Sequence, residues 1–126
     1  MAKLYCQVTG IVLLIAAVLG IAGFAIPGLV SLNDPGEIVL HIVLGAASSF
    51  VGFSKGGYGD WALRYAKVLG PFYLLLGLLG FVIPDLIPGF IHLDLGCNIG
   101  HVGLGAWGIW VGYFVTQAEA PGTAPA

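Results

Sequence analysis

Two histidines, His41 and His101, stand in apolar runs sixty residues apart, within DPGEIVLHIVLGA (34–46) and DLGCNIGHVGLGA (94–106). Buried imidazoles have a short repertoire. They can ligate a metal or a tetrapyrrole, relay a proton, hydrogen-bond a quinone or lipid headgroup, or stay neutral and satisfy a polar neighbour. For His41 the nearest such neighbour in sequence is Glu37, one helical turn earlier on the same face. Facing helices would let the pair supply both axial ligands of a haem, or hold one chlorophyll-type pigment each, so His41 and His101 are the candidate cofactor-binding residues. A metal site of histidines alone is not expected: two ligands are too few, and no third His, Cys or Glu has clear spacing at that depth, although Cys97 and Glu37 lie within geometric reach.

No other constellation carries chemistry. The chain has no nucleophile elbow, no GxxxxGK[ST] loop, no HExxH and no paired carboxylates inside an apolar segment. SKGGYGD (54–60) is glycine-rich but reads as a turn. Cys6 and Cys97 have neither CxxC spacing nor a shared segment, and read as small apolar residues. His92, in PGFIHLD, reads as a solvated loop residue. The expectation is a protein that is not an enzyme.

The elements that must position these groups lie in a bilayer. Of 126 residues, 59% are hydrophobic and 8% charged, and the mean hydropathy is +1.02; soluble domains carry roughly a quarter charged residues. A net charge of −2 without any basic run argues against nucleic-acid binding. A spanning helix needs about 20 apolar residues, which gives four candidate spans, 4–26, 37–53, 60–83 and 95–115, in one domain over 1–116. The second extends to a cap at Asp34 and an exit at Lys55. The third opens at Asp60 as its cap, and Pro71 either kinks it or begins the true span. The first resembles a signal peptide superficially, but its partner deep in the chain argues for its retention. Lys3, Lys55, Arg64 and Lys67 fall at the N-terminus or in the middle connection, so both termini are expected in the cytoplasm of a bacterium, with the bundle in its inner membrane. The tail 117–126 is expected to be disordered.

The halves resemble each other. An offset of 57 pairs GIAGFAIPGL (20–29) with GLLGFVIPDL (77–86) at six of ten positions; an offset of 60 then pairs Asp34 with Asp94, His41 with His101, and Gly45-Ala46 with Gly105-Ala106. Two parallel hairpin repeats, about 8–55 and 60–115, follow, related by an axis along the membrane normal. Asp34 and Asp94 read as helix caps, with Pro35 at the first helical position and Glu37 placed to bond back to its cap. His41 and His101 then lie about 10 Å down their helices, at matching depth.

Below each histidine runs a line of small residues at helical spacing: Gly45, Ser48 and Gly52, and Gly105, Gly108 and Gly112. Related lines in the first and third spans are Ala16, Gly20, Gly23, Pro27 and Tyr73, Gly77, Gly80, Pro84. Helices in lipid associate by close backbone approach at such residues. The expected fold is therefore an all-α membrane protein, a left-handed bundle of four transmembrane helices. Trp107, Trp110, Tyr113 and Phe114 are expected to face outward.

The repeated pattern of Gly-x-x-Gly-Phe-x-x-Pro, an Asn or Asp turn, then His-x-x-x-Gly, with ALRYAKVLGPFYLLLGLLGF between the halves, resembles an uncharacterised family of small bacterial four-span membrane proteins, catalogued as a domain of unknown function. The resemblance covers about residues 8–115 and implies a four-helix integral membrane protein with repeated histidines and no assigned activity. The leading expectation is a protein acting by packing, as a homo-oligomer or as an accessory subunit beside other membrane subunits. The alternative is a haem or chlorophyll-type binder in a respiratory or photosynthetic assembly. A small transporter or channel ranks below both, because little besides the histidines is polar at mid-membrane.

Overall fold

The computed structural model describes residues 1–54 and 59–115. It is mostly helical: α1 (Ala2–Ile21), α2 (Pro35–Phe53), α3 (Gly59–Val82) and α4 (Leu95–Ile109), the last continuing into a π-helical turn over Trp110–Phe114. Three helices, Ala2–Ile21, Pro35–Phe53 and Trp61–Val82, are long and apolar enough to cross a membrane. Between α1 and α2 the chain makes a small antiparallel hairpin, β1 (Ala25–Ile26) with β2 (Val30–Ser31); between α3 and α4 a single bridge joins Ile87 to Ile91. The expected disordered tail 117–126 and most of the SKGGYGD turn lie outside the described residues, as does the side chain of Asp60.

α1 packs along α2 and α3 along α4, the two hairpins meet chiefly through α1 and α3, and α2 touches α3 only lightly. Glycines make the close approaches. A Cβ on Gly10 would lie 2.6 Å from the Ser49 nitrogen, and one on Gly70 would lie 2.6 Å from the Ile109 nitrogen. Gly20 and Gly80 press on Leu32 and Asn98, Gly45 and Gly105 on Leu14 and Leu74, Gly52 and Gly112 on Gln7 and Lys67, Gly77 on Val102, and Gly108 on Tyr5 and Gly70.

Gly23 does not belong to this set. α1 stops at Ile21, five residues short of the expected end, and Gly23 has φ +80° with open space where a side chain would be. Its amide donates to the Gly20 carbonyl and that of Phe24 to Leu19 (3.0 and 2.9 Å), the paired bonds by which a left-handed residue closes a helix. Gly23 is a terminator rather than a packing residue.

Pro71 does not begin α3: the helix runs from Gly59 to Val82 with the proline inside it. Proline has no N–H for the carbonyl four residues earlier, and that carbonyl, of Lys67, accepts instead from the Tyr113 hydroxyl at 3.0 Å. Gly112, whose added Cβ would lie 3.1 Å from the Lys67 Cα, lets the two chains approach closely enough.

Candidate functional site

The site begins where α2 and α4 start. Gly36 donates its amide hydrogen to the Phe90 carbonyl (2.9 Å) in the loop before α4, and Gly96 donates to the Leu29 carbonyl (2.7 Å) in the loop before α2. Each loop tip thus supplies an acceptor to the first turn of the other hairpin's helix, where four amides lack intrahelical partners. Gly28 and Gly89, at φ +77° and +75°, make the turns that aim these tips.

Beside this exchange, only one of the two expected caps forms. Asp94 caps α4 as anticipated, accepting from the Cys97 amide at 3.1 Å, and its second oxygen accepts from the Ser31 amide. Asp34 stands at the corresponding position of α2 but its side chain makes no cap hydrogen bond, although the Gly36 amide is taken by Phe90 just as that of Gly96 is taken by Leu29. Nor does Glu37 bond back to its cap. Its carboxylate turns inward, near Asp34, Asp94 and the weakly donating Cys97 thiol, and neither oxygen makes a hydrogen bond within the described residues.

Glu37, His41 and His101 line one cavity of about 150 Å³. They are 3%, 7% and 8% exposed, so each is more than nine-tenths buried, and Nδ1 of both imidazoles is also without a partner. The remaining wall is apolar: Leu13 of α1, Leu40 and Leu44 of α2, Phe72 and Leu76 of α3, and Leu86, Ile91 and Leu93 of the second loop, with Tyr73 beside them. The Tyr73 and His101 rings lie parallel (1° between planes, centroids 6.2 Å apart), an arrangement that sets the plane of the imidazole. Each buried polar atom left unbonded costs about 1–3 kcal/mol, more when charged. With the Tyr73 hydroxyl, five such atoms belong to residues lining one space, which makes it a place for an occupant.

Among the described residues no three His, Cys, Asp or Glu side chains converge in a way that would hold a metal ion. The volume is also small for a cofactor: ligand pockets usually measure about 300–1,000 Å³, and the two imidazoles share about 150 Å³. A tetrapyrrole macrocycle does not fit between them as they stand.

Outside the cavity, His92 is exposed and bonds Asp85 at 2.6 Å, which raises its pKa above the ordinary 6.5 because the carboxylate favours the protonated ring. Cys6 and Cys97 are free and buried. Trp110, Tyr113 and Phe114 are exposed, but Trp107 packs edge-on against the Tyr5 ring at 5.1 Å and is half-buried. Sequence reasoning set Tyr73 only in a packing line, away from the histidines, and overlooked Asn98 and the pairing of Tyr5 with Tyr65. The last two stand sixty residues apart, as the histidines do, and that spacing was the available signal.

No family model matches the chain, and neither does any curated protein or solved structure.

Proposed function

We propose that the protein is a non-enzymatic, four-span protein of the bacterial inner membrane, built from two parallel hairpin repeats packed in a left-handed sense, with both termini cytoplasmic. In this reading it acts by packing, as an accessory subunit of a larger membrane complex or as a homo-oligomer. The observation that carries it is reciprocity. The Tyr5 hydroxyl donates to the Leu104 carbonyl (3.1 Å) and the Tyr65 hydroxyl to the Leu44 carbonyl (3.0 Å), just as Gly36 and Gly96 exchange bonds with the opposite loops. A correspondence of sixty residues is supported by the close approaches at Gly10 and Gly70 and at Gly20 and Gly80, more than by the 57-residue pairing of Gly20 with Gly77.

Supporting a fourth span, α4 and its π turn together cover Leu95–Phe114, twenty residues without Asp, Glu, Lys or Arg, close to the length that crosses a bilayer. Supporting immersion and association, the outer surface carries Val18, Ile21, Phe50, Val68, Val82 and Phe114 well exposed, apolar area that lipid or a partner would cover. Gentle solubilisation of native membranes followed by size and composition analysis tests the packing role. A defined assembly larger than one chain is expected, and a monodisperse monomer with no partner would refute it. Reporters placed at Gly28 and at Ala126 should read opposite sides of the membrane.

The tetrapyrrole alternative draws support from two imidazoles on one cavity, and the cavity's volume counts against it. An absorption spectrum of protein from its native membrane, with and without dithionite, decides: this alternative requires a Soret or far-red band that disappears on replacing His41 or His101.

A further inference from the structure

At the polar end of the cavity the two halves differ in chemistry. Sixty residues from Glu37 stands Cys97, and sixty before Tyr73 stands Leu13. The histidines are duplicated, but the carboxylate and the flat aromatic wall occur on one side only. We propose that this cavity binds a membrane-soluble ring bearing hydroxyl groups, a phenol or hydroquinone, that enters from the bilayer between α2 and α3 and donates hydrogen bonds to Glu37 and the two imidazoles.

Size, route and chemistry agree. A space of about 150 Å³ is comparable to apolar cavities that take up benzene, so it admits one six-membered ring and not a fused system. The route this requires is the gap where α2 and α3 barely touch, between the lining residues Leu40 and Leu44 on one side and Phe72 and Leu76 on the other; Phe72 is 42% exposed and the leucines half-buried. A molecule arriving by that route comes through lipid. It must therefore be neutral and apolar over most of its surface, which disfavours an ammonium ion even though a carboxylate awaits. Glu37, His41, Tyr73 and His101 line the cavity, and their carboxyl oxygens, imidazole Nδ1 atoms and phenol hydroxyl are buried without hydrogen-bond partners among the described residues. A buried carboxyl accepts hydrogen bonds in either protonation state and a neutral imidazole can accept one, so a ligand that donates is complementary. A ring hydroxyl does, and any alkyl tail on the ring stays in the portal. Binding alone is inferred, with no electron transfer, and it stands whether or not the protein associates with others.

The test uses the full chain in lipid nanodiscs, with radiolabelled benzene-1,4-diol under argon in equilibrium dialysis, subtracting uptake by empty nanodiscs. Saturable binding of one molecule per chain is expected, with 1,4-dimethoxybenzene, which keeps the ring but has no donor, binding at least tenfold more weakly. Glu37→Leu should weaken binding at least tenfold while leaving Tm unchanged or higher, because it removes a buried unpaired carboxylate; a merely structural Glu37 would instead lower Tm. Leu44→Trp, which fills that gap without touching a polar group, should abolish binding in a folded protein and carries the test if Glu37→Leu fails to fold. The proposal is overturned by absence of saturable uptake in the folded wild-type chain, by equal affinity for 1,4-dimethoxybenzene, by tighter binding of benzylamine, or by unchanged binding in folded Leu44→Trp.

Discussion

The hydroxyl of Tyr5 reaches across 99 residues of sequence to the carbonyl of Leu104, 3.1 Å away, and that carbonyl belongs to a helix of the opposite hairpin. Tyr65 does the same for Leu44 at 3.0 Å. A typical intramolecular hydrogen bond contributes about 0.5–1.5 kcal/mol, so Tyr5→Phe and Tyr65→Phe should each lower the stability of the bundle by about 1 kcal/mol. The two sites involve different partners, so the double variant should lose about the sum. Unfolding in mixed detergent monitored by circular dichroism measures this, and no loss in either variant would show that the hydroxyls do not hold the halves together.

The exchanged loop caps leave no room for a side chain. A Cβ on Gly36 would lie 2.5 Å from Ile91 Cγ1 and 2.7 Å from the Phe90 carbonyl oxygen, and one on Gly96 would lie 2.8 Å from Val30 Cβ, whereas Gly100 and Gly103 face open space. Gly36→Ala and Gly96→Ala should destabilise by about 1–3 kcal/mol through overpacking. Gly100→Ala and Gly103→Ala should be neutral or stabilising by up to about 1 kcal/mol, since alanine is the better helix former. Equal effects at all four positions in thermal melts would mean that the tips do not dock as described.

Tyr113 and Pro71 should be coupled. With proline at 71 the Lys67 carbonyl depends on the Tyr113 hydroxyl at 3.0 Å, so Tyr113→Phe should cost about 0.5–1.5 kcal/mol. In a Pro71→Ala background the restored amide at 71 takes over that carbonyl, and Tyr113→Phe should then cost little. A double-mutant cycle on stability reads the difference, and a coupling of zero would separate the two residues.

The contact of His92 with Asp85 makes a small pH-dependent contribution. The folded pKa of His92 lies above its unfolded value near 6.5, first because of its hydrogen bond to Asp85. The contribution is therefore fully present below the unfolded pKa and is lost as pH rises through the raised folded value. Both groups are exposed, so the effect is modest and weakens with salt. A titration of Tm through neutrality should show a shallow fall on the alkaline side, absent in Asp85→Asn; an identical profile in that variant would dissociate the pair from it.

Much of this arrangement is legible in sequence, for identifiable reasons. Helical spacing of small residues finds close contacts because packing in lipid depends on little else, and eight of the nine glycines singled out that way lie against a neighbour. Gly23 was misread because a glycine that packs and one that ends a helix share a letter and differ in φ. The capping pattern around Asp94 holds because its partner is three residues away. That around Asp34 and Glu37 does not form, and Gly36, like Gly96, takes its acceptor from a loop remote in sequence. A clue to it was present all the same: IPGLV (26–30) and IPGFI (87–91) repeat the glycine turn, but pairing Pro27 with Pro84 instead of Pro88 hid them. The cavity was the least legible feature, since its wall is drawn from all four helices and a loop.

The exchanged caps also impose an order in time. When the first hairpin leaves the ribosome its Gly36 amide has no acceptor, because Phe90 lies 54 residues further along the chain. At about 5–20 residues per second, translation takes about 3–10 seconds to deliver it. For that interval the amino-terminal half lacks an acceptor that the finished protein supplies, and a ribosome that stalls within α3 leaves behind a hairpin whose Gly36 amide must find another partner.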